Sequence, residues 1–377
     1  MKIIFWSGAA WEPWGPSSPR ATGIGGSETA VVELASWLAT LGHEVTSIGE
    51  HRGHEGLAYA PGHPGSVEYV DYRSVTEGGD ATLRECDVLV SSRDKRSPRV
   101  LDFRALHKVL WMHDIAVGDD HARDIEWFDQ IYCLSRWARN NFLALYPEVE
   151  PRQVVVTRNG IDPSRFLGSP TPDKDGRRLT WSSSPDRGLA ALLDMWPKLR
   201  AIAPGLELHV YYGTDTWRKM AASMPGQRGK TALLQVEFLE QRARGTEGVT
   251  WHGRQPQDVV ADSHRRSTVW AYPTSFRETY CITALEAQAA GALPVATKLA
   301  ALEETAALGE LVNPDTGMLG IGTSFEDRFV EAFRRTWEAD DGRRRLACRE
   351  WALTQTWEGV ARDWDRMFVE AIAVERR

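Results

Sequence analysis

Cysteine is scarce in this chain, which has only four: Cys86, Cys133, Cys281 and Cys348. No two of them have the spacing of a metal site or of a redox pair, and this excludes a zinc-ribbon protein or a disulfide-stapled protein. Cysteines of this kind are usually small buried residues in a reducing compartment, so we expect a cytoplasmic protein.

Long apolar runs and a strong charge of one sign are also missing. No run reaches membrane-spanning length, and the first residues lead into a short strand rather than a signal sequence. The net charge is −7, which provides no global attraction for nucleic acid or anionic lipid. We interpret the basic clusters at Arg93–Arg99 and Arg343–Arg345 as solvated surface. Histidines between His43 and His63 are typical of a mobile loop rather than of a metal site.

What the sequence does have is a repeated alternation of strands and helices. It begins with a strand at Lys2–Ser7, a helix capped by Ser27 and a strand at Glu44–Ile48. A segment rich in proline, glycine and aspartate, Gly168–Gly176, is a predicted linker. A second alternating series starts at Leu179. The pattern predicts an α/β protein with two Rossmann-like, doubly wound domains, in which ligands bind beyond the carboxyl ends of the strands.

Two glutamates follow the apolar strand predicted at Thr268–Tyr272. Glu278 lies in the loop after this strand, and Glu286 lies one to two turns inside the next helix. The helix start near Thr279 offers unpaired N–H groups that suit a phosphate. The spacing of the two glutamates does not identify an acid/base pair. A partly buried Glu286 needs partners, either ribose hydroxyls or a salt bridge to a local arginine such as Arg277.

Other polar residues fall at predicted strand ends. The glycines of Gly23–Glu28 form either a phosphate cradle or a flexible loop before a capped helix, and Glu28 stands where a dinucleotide fingerprint requires a third glycine. His113 either donates a hydrogen bond to a sugar or phosphate, handles a proton near neutral pH, or is structural. Arg187, beside a helix start, either neutralises a diphosphate or is a surface arginine.

With these motifs in this order, the chain resembles the retaining GT-B-fold glycosyltransferases of the family-four type, the glycosyl transferases group 1. The resemblance rests on five segments: Gly25–Glu28, Arg158–Asp162, Ser184–Gly188, Trp251–Gly253, and Glu278 to Pro294 with its paired glutamates. It implies an acceptor-binding domain at 1–166, a nucleotide-sugar domain at 167–355, and a helix at 356–377 that crosses back to the first domain.

The resemblance also implies residue roles. Glu286 should bind the ribose, Glu278 the donor sugar, and Arg187 the diphosphate, while His113 should lie near the transferred sugar. The implied catalytic residues are His113, Arg187 and Glu278. The implied donor-binding set is Gly25, Gly26, Arg187, Arg254, Glu278, Thr279, Tyr280, Cys281 and Glu286. The acceptor-side candidates are Trp11, Trp14, Ser27, Asp114 and Asn159.

The chain departs from the family pattern at Ser182, where many relatives carry an arginine. One diphosphate cation is therefore missing from its usual place, and Arg158, Arg254 or Arg277 is a candidate replacement. Because arginine and a helix start supply positive charge in this family, the resemblance implies no metal and no other cofactor.

The expected reaction is transfer of a sugar from a UDP- or GDP-linked donor to an acceptor hydroxyl, with retention of anomeric configuration. Alternatives are an epimerase or inverting transferase of the same fold, or a non-catalytic nucleotide-sugar-binding protein. The acceptor is left open among a metabolite, a lipid, a glycan, a protein and modified DNA, and so is the oligomeric state.

Overall fold

The computed structural model describes residues 1–78, 81–116, 122–167, 177–314, 324–339 and 342–375. The chain forms two compact units, Met1–Gly160 with Thr356–Arg377, and Ile161–Gln355. The predicted linker at Gly168–Gly176 lies outside the described residues. The second unit begins at Ile161 rather than at 167, because the turn Pro163–Phe166 is bonded into it: Arg265 donates to the Arg165 carbonyl at 3.1 Å.

The first unit is built on one sheet. Its described strands are β1 (Lys2–Gly8), β2 (Glu44–Gly49), β3 (Gly56–Tyr59), β4 (Ser66–Asp71), β5 (Glu85–Ser92), β6 (Arg104–Met112), β7 (Gln130–Cys133) and β8 (Val154–Val156). Their order is β3-β4-β2-β1-β5-β6-β7-β8, and all pairs are parallel except the antiparallel pair of β3 and β4. The chain order reverses between β1 and β5, so this is the switch point at which ligands bind in such sheets.

Helices flank this sheet: α1 (Ser18–Ala21), α2 (Gly26–Thr40), α3 (Arg73–Thr76), α4 (Ser97–Val100), α5 (Ala122–Ile125) and α6 (Arg136–Leu145). Ser135 caps α6 as predicted, since its hydroxyl accepts from the Ala138 N–H at 3.0 Å. The predicted cap at Ser27 is wrong. The cap of α2 is Gly25, and the Ser27 hydroxyl donates instead to Glu28 at 3.0 Å.

The histidine-rich stretch after β2 is more ordered than the sequence suggested. It contains β3, and its histidines have partners inside the first unit. His51 is fully buried and bonds to the Ser47 hydroxyl at 3.0 Å. His63 pairs with Glu33 at 3.1 Å. The His63–Glu33 contact and a second contact of His51, with the Trp14 carbonyl at 2.8 Å, join residues at least 30 positions apart. The local glycine and proline content carries no information about such contacts, and it favoured a mobile loop.

The second unit has described strands β9 (Arg178–Trp181), β10 (Glu207–Val210), β11 (Val249–Trp251), β12 (Val269–Tyr272), β13 (Leu293–Thr297) and β14 (Glu310–Val312). They pair in parallel as β11-β10-β9 and β12-β13-β14. A parallel bridge between Arg178 and Ser267 joins the two ladders. Chain order therefore reverses between β9 and β12, which is a second switch point.

The helices of the second unit are α7 (Leu189–Ile202), α8 (Asp215–Ser223), α9 (Gln227–Gly245), α10 (Gln257–Arg266), α11 (Ile282–Ala289), α12 (Leu302–Thr305), α13 (Phe325–Ala339) and α14 (Gly342–Thr354). The prediction that Arg345 of α14 belongs to a solvated surface is wrong. Its side chain is buried and donates to the carbonyls of Thr268 at 2.9 Å and Gly291 at 2.6 Å.

The last helix, α15 (Trp357–Glu375), packs on α2 and β6 of the first unit. Trp364 donates to the Thr157 hydroxyl at 2.6 Å and meets the Trp111 and Tyr132 rings edge-on at 4.9 Å and 4.8 Å. Among the described residues, no helix combines the length and apolarity needed to span a membrane.

Candidate active site

Arg187 and Glu278 meet at the switch point of the second unit. Arg187 lies in the turn after β9, and Glu278 lies in the loop after β12. Arg187 Nη1 donates to Glu278 Oε2 at 3.2 Å, and the Tyr272 hydroxyl donates to Oε1 at 2.8 Å. The guanidinium carbon of Arg187 lies 3.2 Å from the centroid of the Phe276 ring, a cation–π contact. Two predicted site residues are therefore in direct contact.

Burial governs the charge state of Glu278. It raises the pKa of this carboxyl above its usual value, against the opposing effects of Arg187 and the Tyr272 hydroxyl. Ionising the Glu278 carboxyl is therefore costly, and the ionised form is stabilised by the hydrogen bonds from Arg187 and the Tyr272 hydroxyl. A ligand that competes for Arg187 will change the protonation of Glu278.

A glycine permits this close approach of the two loops. Gly188 follows Arg187 with a φ of 118°, and a Cβ there would lie 2.4 Å from the Pro273 carbonyl oxygen. Any other residue would separate the turn after β9 from the end of β12. Gly188 thus brings Arg187 within reach of Glu278.

The start of α11 adjoins this pair. Cys281, the residue before the helix, has a φ of 75°, which side-chain-bearing residues seldom adopt. Its Sγ lies 3.4 Å from the Thr283 hydroxyl, which in turn lies 3.0 Å from the Ser183 hydroxyl in the turn after β9. Burial raises the pKa of the Cys281 thiol, so it stays protonated and is not a nucleophile.

Glu286 lies inside α11 and pairs with Arg165. Arg165 Nη1 donates to Glu286 Oε1 at 3.2 Å, and the two residues are only 8% and 9% exposed. Burial raises the pKa of the Glu286 carboxyl, while Arg165 opposes the shift. The salt-bridge partner is Arg165, whereas Arg277, the partner considered from the sequence, is exposed.

Arg93 organises the switch point of the first unit. It follows β5, and its Nε and Nη2 donate to the two carboxylate oxygens of Asp114 at 2.8 Å and 3.0 Å. Nη1 also donates to the Ser27 hydroxyl at 3.3 Å. Ser27 and Asp114, both acceptor-side candidates, are therefore brought together by an arginine that was predicted to belong to a solvated cluster.

His113 follows β6 beside this cluster. Burial lowers the pKa of its imidazole to about 3, and the nearby Arg93 adds to the effect. Its ring is tilted against Trp111 at 4.3 Å. A pKa this low favours a neutral imidazole at His113 and argues against proton transfer by this residue near neutral pH, so its role at the site stays a prediction.

The other acceptor-side candidates differ in exposure. Trp11 is 50% exposed, whereas Trp14 is 1% exposed and packs edge-on against the His51 ring at 4.3 Å. Trp14 is therefore a core residue and not a ligand contact. Asn159 is buried at 4% exposure, and its Oδ1 has no hydrogen-bond donor among the described residues. Of the predicted donor-binding residues, Gly25 caps α2 and Gly26 begins it, both in the first unit, and the others lie in the second.

Comparisons with known proteins agree with this architecture. Residues 178–338 match the family described as Glycosyl transferases group 1. This match confirms the suspected resemblance for the segment that contains Arg187, Arg254, Glu278 and Glu286. A sequence comparison with curated proteins gives no match.

Solved glycosyltransferase structures share the fold. HepE of Anabaena, crystallised with UDP and glucose, has a TM-score of 0.65 at 13% identity, over 98% of this chain and 100% of that one. Sucrose-phosphate synthase of Thermosynechococcus elongatus has a TM-score of 0.67 at 15% identity, over 99% of each chain. A glycosyltransferase of Rickettsia africae has a TM-score of 0.67 at 12% identity, over 98% of each chain. The predicted GT-B fold is confirmed.

The segment that matches this family departs from the expected cation pattern at Ser182. The Ser182 hydroxyl lies 3.1 Å from Nε2 of His264, which is fully buried. Burial lowers the pKa of His264 to about 3, so this pair adds no positive charge near β9. Of the candidate replacements, Arg254 donates to the Thr216 hydroxyl at 2.9 Å, and Arg158 pairs with Asp363 of the first unit at 2.6 Å.

Three residues at the two sites were not predicted from the sequence as site residues: Arg93, Arg165 and Phe276. Arg93 directly follows the end of β5 at Ser92, and its position at a strand end is the signal that could have found it. Phe276 lies in the loop already singled out, two residues before Glu278. Arg165 lies 121 residues from Glu286, and no local pattern indicates such a contact.

Proposed function

We propose that the chain is a retaining glycosyltransferase that moves a sugar from a UDP- or GDP-linked donor to an acceptor hydroxyl. The observation that supports this most is the meeting of Arg187 and Glu278 at a switch point, beside the start of α11 and within the segment matched by the family. HepE, which shares the fold, was crystallised with UDP-glucose as well as with UDP and glucose.

In the proposed complex, the diphosphate lies at the start of α11, where the helix dipole and the Arg187 guanidinium offset its charge. Glu278 accepts hydrogen bonds from the donor sugar, and Glu286 accepts them from the ribose. Thr279, Tyr280 and Cys281 contribute backbone N–H groups, and Arg254 is a further candidate cation. Because this positive charge comes from the chain itself, we propose a reaction that needs no metal and no other cofactor.

In the proposed reaction, the bond between the anomeric carbon and the diphosphate oxygen breaks while the acceptor oxygen bonds to the same face of the sugar. The acceptor proton passes to the departing diphosphate oxygen. The chain contributes by positioning the reactants and by stabilising the leaving group. His113, as a neutral imidazole, hydrogen-bonds to the transferred sugar in this scheme.

The acceptor-binding residues proposed for the first unit are Ser27, Arg93, Asp114 and Trp11. Arg93 is neutralised by Asp114, so the cluster presents hydrogen-bonding groups rather than a free positive charge. Trp11 adds an exposed ring of the kind that stacks on a sugar. We therefore favour an uncharged, hydroxyl-rich acceptor.

A thermal-shift screen of nucleotide sugars, followed by NMR of the product, tests the function. A UDP- or GDP-sugar should raise the melting temperature by mass action, and the product should keep the anomeric configuration of the donor. An inverted product would contradict retention. Failure of every nucleotide sugar both to bind and to release its nucleotide would contradict the transferase assignment.

Arg187→Ala separates transfer from simple binding. The change removes the cation at the leaving group, so kcat should fall by about 100-fold or more, an effect of the size seen for lost leaving-group stabilisation. Arg242→Ala, which removes a partly exposed arginine paired with Asp194, serves as the control and should keep wild-type turnover. Wild-type kcat in Arg187→Ala would contradict the assigned role.

A further inference from the structure

We propose that Arg165 is a positioning residue for nucleotide binding, whose guanidinium neutralises and orients the buried Glu286 carboxylate for the ribose. The inference rests on the proposed function, and it assigns a role to a turn that was predicted to lie outside the nucleotide-sugar domain. Arg165 itself need not touch the nucleotide, because it acts through Glu286.

Both side chains of the ion pair between Arg165 and Glu286 are largely buried. Arg165 Nη1 and Glu286 Oε1 are 3.2 Å apart, and the side chains are 5% and 12% exposed. A second charged group near the guanidinium is Asp162, whose Oδ2 lies 3.9 Å from Nε. Removing one partner of such a buried pair leaves an uncompensated group, which costs far more than the loss of an exposed ion pair.

The turn that carries Arg165 is fixed independently of this ion pair. Arg265 of α10 donates to the Arg165 carbonyl at 3.1 Å. Arg349 of α14 donates to the Phe166 carbonyl at 2.7 Å and also to the Ala289 carbonyl at the end of α11. The turn is thus held against both α10 and α11, so the guanidinium reaches Glu286 already oriented.

The charge of Glu286 decides what it can bind. An ionised carboxylate accepts hydrogen bonds from both hydroxyls of a ribose, whereas the protonated acid must donate one itself. Burial already raises the pKa of this carboxyl, and Arg165 opposes that shift. The charged groups of the turn are Arg165 and Asp162. The helices packed against α11 carry the titratable or charged residues Asp258, Asp262, His264, Arg265 and Arg266 (α10), Glu303 and Glu304 (α12), and Arg343, Arg344, Arg345, Arg349 and Glu350 (α14). Among the described residues, the side chain that bonds to the Glu286 carboxylate is that of Arg165.

Loss of Arg165 should therefore make nucleotide affinity depend on pH. Without the guanidinium, Glu286 takes up a proton at a higher pH, and the fraction able to accept two ribose hydrogen bonds falls. In Arg165→Met, the affinity should fall at neutral pH and recover as the pH rises. A merely structural defect would lower the affinity to a similar extent at every pH.

Isothermal titration of UDP and GDP against the full-length chain, across a series of pH values, tests the inference. At neutral pH, Arg165→Met should weaken the nucleotide that binds the wild type by about ten-fold, the equivalent of one pKa unit, and the loss should shrink at higher pH. Arg165→Lys keeps the charge and should stay within about three-fold of the wild type. Arg266→Met, which removes an exposed arginine paired with Asp262, should change nothing.

The outcomes separate the two proposals. Wild-type affinity in Arg165→Met, or an equal loss at every pH in both Arg165 variants, would overturn the role of Arg165. Loss of affinity in Glu286→Gln with none in Arg165→Met would sink only the present inference. Wild-type affinity in Glu286→Gln would instead contradict the ribose role on which it rests. If Arg165→Met does not fold, Arg165→Lys decides, because a pH-independent ten-fold loss there would contradict the proposal.

Discussion

At the scale of single residues, Cys281 has the backbone conformation that most directly affects the site. With a φ of 75°, this residue adopts the left-handed backbone conformation at the start of α11 although it carries a Cβ. For an L-residue this conformation costs about 1–2 kcal/mol, and glycine avoids the cost. The strain lies where the chain turns from Glu278 into the helix that carries Glu286.

Cys281→Gly should therefore be more stable than Cys281→Ala by about 1 kcal/mol, because alanine keeps the Cβ and the strain while both variants lose the sulfur. Urea denaturation of the two variants measures the difference directly. Glycine normally destabilises a chain relative to alanine, so a more stable Cys281→Ala would contradict this account.

Buried carboxyls should also make stability depend on pH. The folded-state pKa values of Glu278 and Glu286 are raised above the usual 4.5, so the folded protein binds these protons more tightly than the unfolded chain. Their contribution to the free energy of unfolding is full below pH 4.5 and is lost as the pH rises through the raised values.

Glu278→Gln cannot ionise, so its free energy of unfolding should fall less steeply than that of the wild type between pH 4.5 and neutral pH. Glu286 keeps part of the slope in this variant. The control is Glu303→Gln, whose half-exposed carboxylate pairs with Lys298 at 3.9 Å, and its slope should match the wild type. Identical slopes in all three proteins would count against a raised pKa at Glu278.

Sequence reasoning identified the polar residues of the site better than it identified their partners. Glu278, Glu286 and Arg187 stood out because a charged residue next to an apolar strand or inside an apolar helix is unusual. The pairing of Glu286 with Arg165 depends on how a distant turn packs against α11, and hydrophobic periodicity carries no information about that.

At the scale of elements, the turn between β9 and α7 determines where Arg187 lies. Gly188 combines a φ of 118° with a backbone contact to Pro273, and both features exclude a side chain. The position of the turn therefore depends on its contact with the loop after β12 as well as on α7.

Gly188→Ala should lower the stability by about 1–3 kcal/mol and should weaken transfer, because the turn must move away from Pro273 and take Arg187 with it. Gly226→Ala is the matched control. Gly226 also has a positive φ, of 65°, but a Cβ there meets nothing within 4 Å, so only the strain is added. Equal losses in the two variants would show that the close approach has no effect of its own.

The sequence predicted the alternation of elements well and the edges of the sheets poorly. Buried strands such as β1 and β12 were predicted correctly because the residues on both of their faces are apolar. β3 was missed because Leu57 and Tyr59 are 67% and 62% exposed and stand among glycines and prolines. An edge strand of four residues gains its order from β4, which a local pattern does not report.

At the scale of the whole molecule, both units use the same arrangement: a mostly parallel sheet whose chain order reverses once, with polar groups beyond the reversal. The first unit is completed only by α15. Gly160 marks the junction, because a Cβ there would lie 2.3 Å from the Trp357 backbone nitrogen.

Gly160→Ala should displace the start of α15 from the first unit. Hydrogen exchange of the amides of Trp357–Glu375 should become faster, and the melting temperature should fall. Gly342→Ala adds a Cβ at the start of α14 that meets nothing within 4 Å, so it should leave exchange in α15 unchanged. Unaltered exchange in Gly160→Ala would contradict the tight junction.

The chain leaves the first unit after Gly160 and returns to it at Thr356, and the Ile161 N–H donates to the Gln355 carbonyl at 2.8 Å. The second unit is therefore an insertion closed at its own base. During synthesis the sheet of the first unit leaves the ribosome long before α15, while the second unit is complete as soon as Gln355 emerges. The part of the protein that is made first is thus the last to finish folding, and the aromatic surface around Trp111 and Tyr132 stays uncovered until α15 has been made.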